Sequence, residues 1–124
     1  MNNSPQVIKC YGITKDSKTN NFMMVMDYAD NGNLRQKLNN DFNSLSWSNK
    51  FWMLYSIAKG LSDIHKKGLT HRDFHSGNIL SYGTEVASII CKTVYGVLPY
   101  VAPEVLRGKK YTQASDVYSF GIII

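Results

Sequence analysis

The stretch that decides the fold is "HRDFHSGNIL", His71-Arg72-Asp73-Phe74-His75-Ser76-Gly77-Asn78-Ile79-Leu80. It places a carboxylate and a carboxamide five residues apart on one short loop, with an arginine and two histidines beside them. An apolar pair, Ile79-Leu80, then opens the next segment. Asp73 and Asn78 have the chemistry to handle a proton and to face a cation from one turn of chain. His71 and His75 also have the spacing of two zinc ligands on a helix. Arg72 stands at the glutamate position, however, and Ser76-Gly77-Asn78 breaks the helix that such a site needs.

Outward from this loop the chain is ordinary in bulk. It has 124 residues, 44% of them hydrophobic and 19% charged, which suits one small domain with one core. Its formal charge of +5 is spread over lysines such as Lys15, Lys18, Lys50, Lys66, Lys67, Lys109 and Lys110. They form no stripe with interleaved aromatics, so nucleic acid is not an expected partner. No apolar run reaches spanning length, so no membrane segment is expected. Cys10 and Cys91 have no framework spacing and nothing at the N-terminus resembles an export signal, which points to a reducing, cytoplasmic setting.

Upstream, "QVIKCYGI" and "FMMVMDY" flank the turn-rich "TKDSKTNN" and predict antiparallel strands over Val7–Ile13 and Asn21–Tyr28. Met23, Met24 and Met26 are expected to fill core gaps. Asn31-Gly32 predicts a turn, and Asn33 a cap for a short helix over Leu34–Leu38. The longest periodic signal is "SLSWSNKFWMLYSIAKGLSDIHKKG". Trp47, Phe51, Leu54, Ala58, Leu61 and His65 recur in steps of four and three and predict a buried stripe, with His65 a packed core histidine. Ser46 is the expected N-cap, Lys66 and Lys67 suit the C-terminal end, and Gly68 the left-handed stop.

Downstream, "NILSYGTEVASII" predicts a second hairpin, a short helix follows Pro103, and "TQASDVYSFGIII" starts a helix with Ser115 or Asp116 near its cap. The expected class is α+β.

The order of these elements, and the motifs on them, resemble the middle of a protein kinase catalytic domain. His71-Arg72-Asp73 with Asn78 resembles the catalytic loop H-R-D-x-x-x-x-N. Ala102-Pro103-Glu104 resembles A-P-E, and Asp116 to Gly121 resembles the D-x-W-S-x-G opening of the central helix. "MVMDYADNGNL" is similar to the hinge. The resemblance implies a partial kinase-like fold: residues 1–28 as remnant small-lobe strands and hinge, and residues 29–124 as an incomplete, mostly helical large lobe.

It also implies ATP and Mg2+ as cofactors and a protein substrate or signalling partner. Asp73 would be the catalytic base, Asn78 a metal ligand and His71 a buried packing residue. Arg72 would pair with a phosphate on the activation segment. Met26, as gatekeeper, Tyr28 and Ala29 would line the adenine site, with Asn33 near the ribose and Leu80 beneath the adenine. Glu104 and Asp116 would be structural, Asp116 bracing the loop backbone as well as capping its helix.

Several family parts have no match. "QVIK" is similar to the strand that carries the phosphate-binding lysine, but no glycine-rich loop precedes it, so Lys9 reads as an ordinary strand lysine. Asp30-Asn31-Gly32 imitates D-x-G, yet it lies before the catalytic loop and reads as a turn. The true D-F-G should follow "EVASII", where "CKTVYG" stands instead, as though a stretch were excised between Ile90 and Cys91. Between Asn78 and Ala102 the one acidic residue is Glu85. His75 stands where Ser/Thr kinases carry lysine, and Val97 where a threonine contacts the catalytic aspartate. The expectation is therefore an inactive, truncated or mis-spliced piece of a kinase. Serine or threonine is the expected acceptor in preference to tyrosine. The alternative is a pseudokinase-like nucleotide- or protein-binding module. The small lobe and later helices that complete such a domain are expected to be missing, which would leave Ile122–Ile124 and the long helix without cover and Glu104 without its partner.

Overall fold

A computed structural model describes residues 6–82, 85–89 and 97–124, with the side chains of 85–89 left out. The Ile90–Cys91 junction and "CKTVYG" up to Gly96 lie outside these residues. The class is α+β, with two antiparallel two-stranded sheets and four α-helices among the described residues.

The first hairpin pairs β1 (Cys10–Lys15) with β2 (Phe22–Met26). β1 begins later than the sequence predicts and runs on to Lys15, β2 is shorter at both ends, and the ladder is irregular between Cys10 and Gly12. Asp16 closes the turn, accepting from the Lys18 N–H at 2.9 Å and the Thr19 hydroxyl at 2.7 Å. Both faces of the hairpin are open. Met23 and Met24 are exposed and Met26 is half-buried, so these methionines do not fill a core gap within the chain.

Helix α1 (Leu34–Asp41) starts at the expected Asn33, whose side chain accepts from the Gln36 N–H while the Gln36 side chain accepts from the Asn33 N–H. It buries Leu34. Helix α2 (Trp47–Lys66) has both predicted ends: Ser46 accepts from the Asn49 N–H, and Gly68 turns at φ +71°.

The buried stripe of α2 shares Leu61 with the predicted one, and Leu54 and His65 are half-buried, but its centre lies elsewhere. Met53, Ile57, Gly60, Leu61 and Ile64 face the core, whereas Trp47 and Phe51 are 85% and 65% exposed and Ala58 is exposed as well. The observed stripe is the predicted one moved back by one residue, about 100° around the helix. Leu34, Phe74 and Ile79 complete the cluster, and Val7, Leu38, Leu45, Phe120 and Ile123 pack against it.

Strand β3 (Ile79–Tyr82) pairs with β4 (Glu85–Ile89) as predicted. On its other edge β3 is stitched to the start of α1: Ser81 donates to the Gly32 carbonyl at 3.0 Å, and Asn33 bridges Leu80. Helix α3 (Pro103–Leu106) follows Pro103 as expected, and α4 (Gln113–Ile123) ends the described chain. The N-cap of α4 is Thr112, and Ser115 stands near it as expected, as its partner in a capping box, while Asp116 does not cap the helix. That placement releases the Asp116 side chain from the helix end for the catalytic loop. No described helix is long and apolar enough to cross a membrane.

Candidate active site

The loop after α2 is shaped by one buried carboxylate. Asp116, 1% exposed, accepts from the His71 N–H at 2.7 Å through Oδ2 and from the Arg72 N–H at 2.9 Å through Oδ1. Its Oδ2 also meets His65 Nε2 at 2.9 Å, so that imidazole nitrogen carries the proton. His65 is thus half-buried and polar-bonded, not simply packed as the sequence suggests. The two backbone bonds to Asp116 hold Arg72 at φ +69°, a backbone conformation that costs a non-glycine residue roughly 1–3 kcal/mol. The Arg72 side chain is exposed, with Nε donating to Thr70 Oγ1 at 3.2 Å.

This bend turns the next residues inward. His71 is buried edge-on against Phe74, with ring centroids 5.2 Å apart, and its Nδ1 accepts the Asp73 N–H at 3.2 Å. That matches the packing role the resemblance implies. Asp73 is buried too. Asn78 reaches back from the 3₁₀ turn Ser76–Asn78, and its Nδ2 donates to the Asp73 carbonyl at 2.9 Å and to Asp73 Oδ2 at 2.7 Å. The loop therefore does bring Asp73 and Asn78 together. Asp73 Oδ1 is buried without a hydrogen-bond partner, and His75 Nε2 lies 3.5 Å away.

Further contacts come from residues the sequence did not single out. Ser76 Oγ lies 3.2 Å from the Tyr100 hydroxyl and accepts from Arg35 Nε at 3.4 Å. Ser119 Oγ donates to the Tyr100 carbonyl at 2.6 Å, which ties α4 to the segment before Ala102-Pro103-Glu104. Ser119 stands in the segment that opens α4, but nothing local marks Tyr100 as its partner.

The residues expected around a nucleotide are less tightly gathered. Tyr28 and Ala29 line an open concavity of about 910 Å³ shared with Asp30–Gly32 and the outer face of α1. Met26, Asn33 and Leu80 lie outside its wall. Met26 ends β2, and Asn33 and Leu80 face one another as a bridge pair, with the Asn33 side chain committed to its cap. Val97 is exposed. Glu104 is half-buried in the first turn of α3, so solvent shares its charge and the cost of a fully buried lone carboxylate does not arise.

Magnesium meets a sparse ligand set in this loop, the Asn78 carboxamide oxygen and little else. It demands near-octahedral oxygen ligation, usually with one or two carboxylates and retained water. Here the single carboxylate, Asp73, already accepts from an amide at Oδ2 and faces an imidazole at Oδ1. Among the described residues no three His, Cys, Asp or Glu side chains converge on a common point.

Comparison with known proteins agrees with these motifs. The model of the protein tyrosine and serine/threonine kinase family matches residues 1–124. The chain is 32% identical over 120 residues to a probable serine/threonine-protein kinase, roco5, of Dictyostelium discoideum, covering 82% of this chain and 4% of that protein. It is 36% identical over 117 residues to dual specificity testis-specific protein kinase 2 of Mus musculus, covering 79% of the chain and 20% of that protein. A protein kinase and PP2C-like domain-containing protein of Arabidopsis thaliana aligns at 29% identity over 152 residues, covering 98% of the chain and 23% of that protein. That aligned span exceeds the 124 residues of the chain, so the relative holds residues inside the match that this chain lacks. The chain spans a small part of each of these relatives. With the family model matched from end to end, it belongs to the protein tyrosine and serine/threonine kinase family.

Proposed function

We propose that this chain carries the catalytic loop and supporting helices of a kinase that transfers the γ-phosphate of ATP to a protein hydroxyl, serine or threonine in preference to tyrosine. We further propose that it does not turn over with its present sequence. The first part is carried by Asp73: a buried carboxylate, fixed by Asn78 at one oxygen, keeps the other without a hydrogen-bond partner, in a state to accept a hydroxyl proton. The relatives, among them a probable serine/threonine-protein kinase and a dual specificity kinase, support the acceptor class. Tyr28, Ala29, Met26, Asn33 and Leu80 are assigned to the nucleotide side, and Arg72 to a phosphate on the activation segment. Residues 1–28 belong to the small lobe and hinge, and residues 29–124 to the large lobe. The exposed thiol of Cys10 suits a cytoplasmic setting.

Inactivity follows from the ligand set. No aspartate stands between Asn78 and Ala102, so the loop offers magnesium little beyond the Asn78 carboxamide oxygen, a weak anchor for the triphosphate. The extra residues that the Arabidopsis relative holds within its aligned span support an internal loss.

Incubation of the chain with radiolabelled ATP, magnesium and a mixed serine, threonine and tyrosine peptide library tests this. Transfer no greater than that of Asp73→Asn is expected. Magnesium-dependent transfer that vanishes in Asp73→Asn overturns the inactivity. A nucleotide thermal shift without magnesium would favour a noncatalytic binding module instead. The encoding DNA across Ile90–Cys91 is a separate check: an intron that carries D-[FL]-G assigns the loss to splicing.

A further inference from the structure

We propose that His75 is a positioning residue for Asp73, and that Gly77 is the residue that admits it. The inference rests on Asp73 being the proton-accepting carboxylate of the proposed reaction, and it concerns how that carboxylate is held.

The His75 side chain is 13% exposed, and both of its nitrogens are directed. Nδ1 accepts the Gly77 N–H at 3.0 Å. A nitrogen that accepts carries no proton, so the neutral ring holds its hydrogen on Nε2. Nε2 in turn lies 3.5 Å from Asp73 Oδ1, the carboxylate oxygen with no hydrogen-bond partner. Catalytic contacts of this kind are often long in an empty site and tighten when the reactants are in place.

The seat of the ring is built as well. A Cβ added at Gly77 would fall 2.8 Å from His75 Cε1 and 3.0 Å from Nδ1, so a side chain there displaces the ring or forces the backbone away. Tyr100 lies on the ring with centroids 5.8 Å apart and planes tilted by 42°. The same tyrosine is tied to Ser76 through its hydroxyl and to Ser119 through its carbonyl.

These contacts separate a positioning role from a packing one. The Nδ1 bond caps the 3₁₀ turn Ser76–Asn78, and what a space-filling ring alone would not need is Nε2 set beside the Asp73 oxygen that lacks a partner. They also separate His75 from the lysine that the resemblance puts at this place. A lysine side chain extends its charge towards a phosphate, whereas an imidazole pinned at Nδ1 reaches no further than Asp73. The effect of His75 therefore passes through the carboxylate. Asn78 holds Oδ2, His75 orients Oδ1, and the two oxygens become distinct before a substrate arrives.

The test uses the full chain labelled with ¹⁵N and ¹³C, at about pH 8, above the ordinary imidazole range. Long-range ¹H–¹⁵N spectra are expected to give His75 an unprotonated, hydrogen-bonded Nδ1 and a protonated Nε2. Gly77→Ala is expected to shift the ring towards a solvent-averaged tautomer mixture. His75→Gln replaces the Nε2 donor and should leave the Asp73 carboxyl ¹³C resonance near its wild-type position. His75→Asn replaces only the Nδ1 side and should move that resonance as far as His75→Ala does. An Nδ1-protonated ring overturns the proposal, as does an Asp73 resonance that none of the three substitutions moves. Random-coil signals from all three histidines, showing that no such pair forms, overturn it too. None of these signals needs ATP, so phosphoryl transfer can fail or succeed independently of the result.

Discussion

The β1–β2 hairpin and the loop around Asp73 are both held by hydrogen bonds, but the bonds differ in reach and in surroundings. In the hairpin they join neighbours across a ladder and a turn, with Phe22 79% exposed and solvent on both faces. In the loop, short-range bonds such as Asn78 to Asp73 are joined by long-range ones to a buried acceptor: Asp116 alone collects His65, His71 and Arg72 from 44 to 51 residues away. A hydrogen bond that water can replace adds little. A buried polar group that loses its partner is costly to leave unmade. The kinase-like site should therefore open less readily than the hairpin.

The most damaging single change should be Asp116→Ala. It strips the acceptor from two backbone N–H groups and from His65, and it removes the support of the positive φ at Arg72. A loss of about 3–5 kcal/mol in unfolding free energy is expected by urea or thermal melting. Asp116→Asn keeps one acceptor oxygen and should cost less. If Asp116→Ala melts like the wild type, the loop is not anchored as described.

A second pair of substitutions tests which face of α2 is structural. Ile57, 1% exposed within the core cluster, should cost about 2–5 kcal/mol on replacement by alanine. Phe51→Ala, on the face that the sequence pattern favours, should change stability by no more than about 0.5 kcal/mol in this chain. Equal losses at the two positions would restore the stripe expected from the sequence.

That stripe marks what could and could not be read in advance. The existence of α2, its Ser46 cap and its Gly68 stop are local signals, and the structure agrees with each. Which of its apolar faces lies inward is set by Leu34, Phe74 and Ile79, which arrive from other elements. Periodicity gives the pitch of a helix; its partners give the phase. The site divides in the same way. Asp73 and Asn78 were legible because one loop holds both. The role of His65 was not, because its partner Asp116 is 51 residues away. His75 was visible as a departure from a motif, but its contacts with Gly77 and Tyr100 need the fold.

On the hairpin side the expected effects shrink. Phe22→Ala, on an open strand face, should alter the melting free energy by less than about 0.5 kcal/mol. Native-state amide exchange gives the same contrast without mutation. The amides of β1 and β2 should exchange through local opening, well before those around Ile57 and Ile64 in α2. Protection in the hairpin equal to that of α2 would mean that the two regions open as one unit.

The smallest effect lies in the hairpin turn, and it depends on pH. The Asp16 carboxyl is held below its ordinary value of 3.8, chiefly because its ionised form accepts from the Thr19 hydroxyl and then from the Lys18 N–H. A folded-state value that is depressed means that the carboxylate favours the turn. The contribution is complete above the unfolded value and is lost as pH falls through the folded one. Because Asp16 bonds only within the turn, the loss should loosen β1–β2 and leave the Asp116 cluster unaltered. Amide shifts of Lys18 and Thr19 should titrate below pH 3.8, and Thr19→Ala should move that midpoint back up towards 3.8. A midpoint that does not move with Thr19→Ala would place the hydrogen bond elsewhere. Coincident titration of the His71 and Arg72 amides would show the hairpin coupled to the loop, against the separation drawn here.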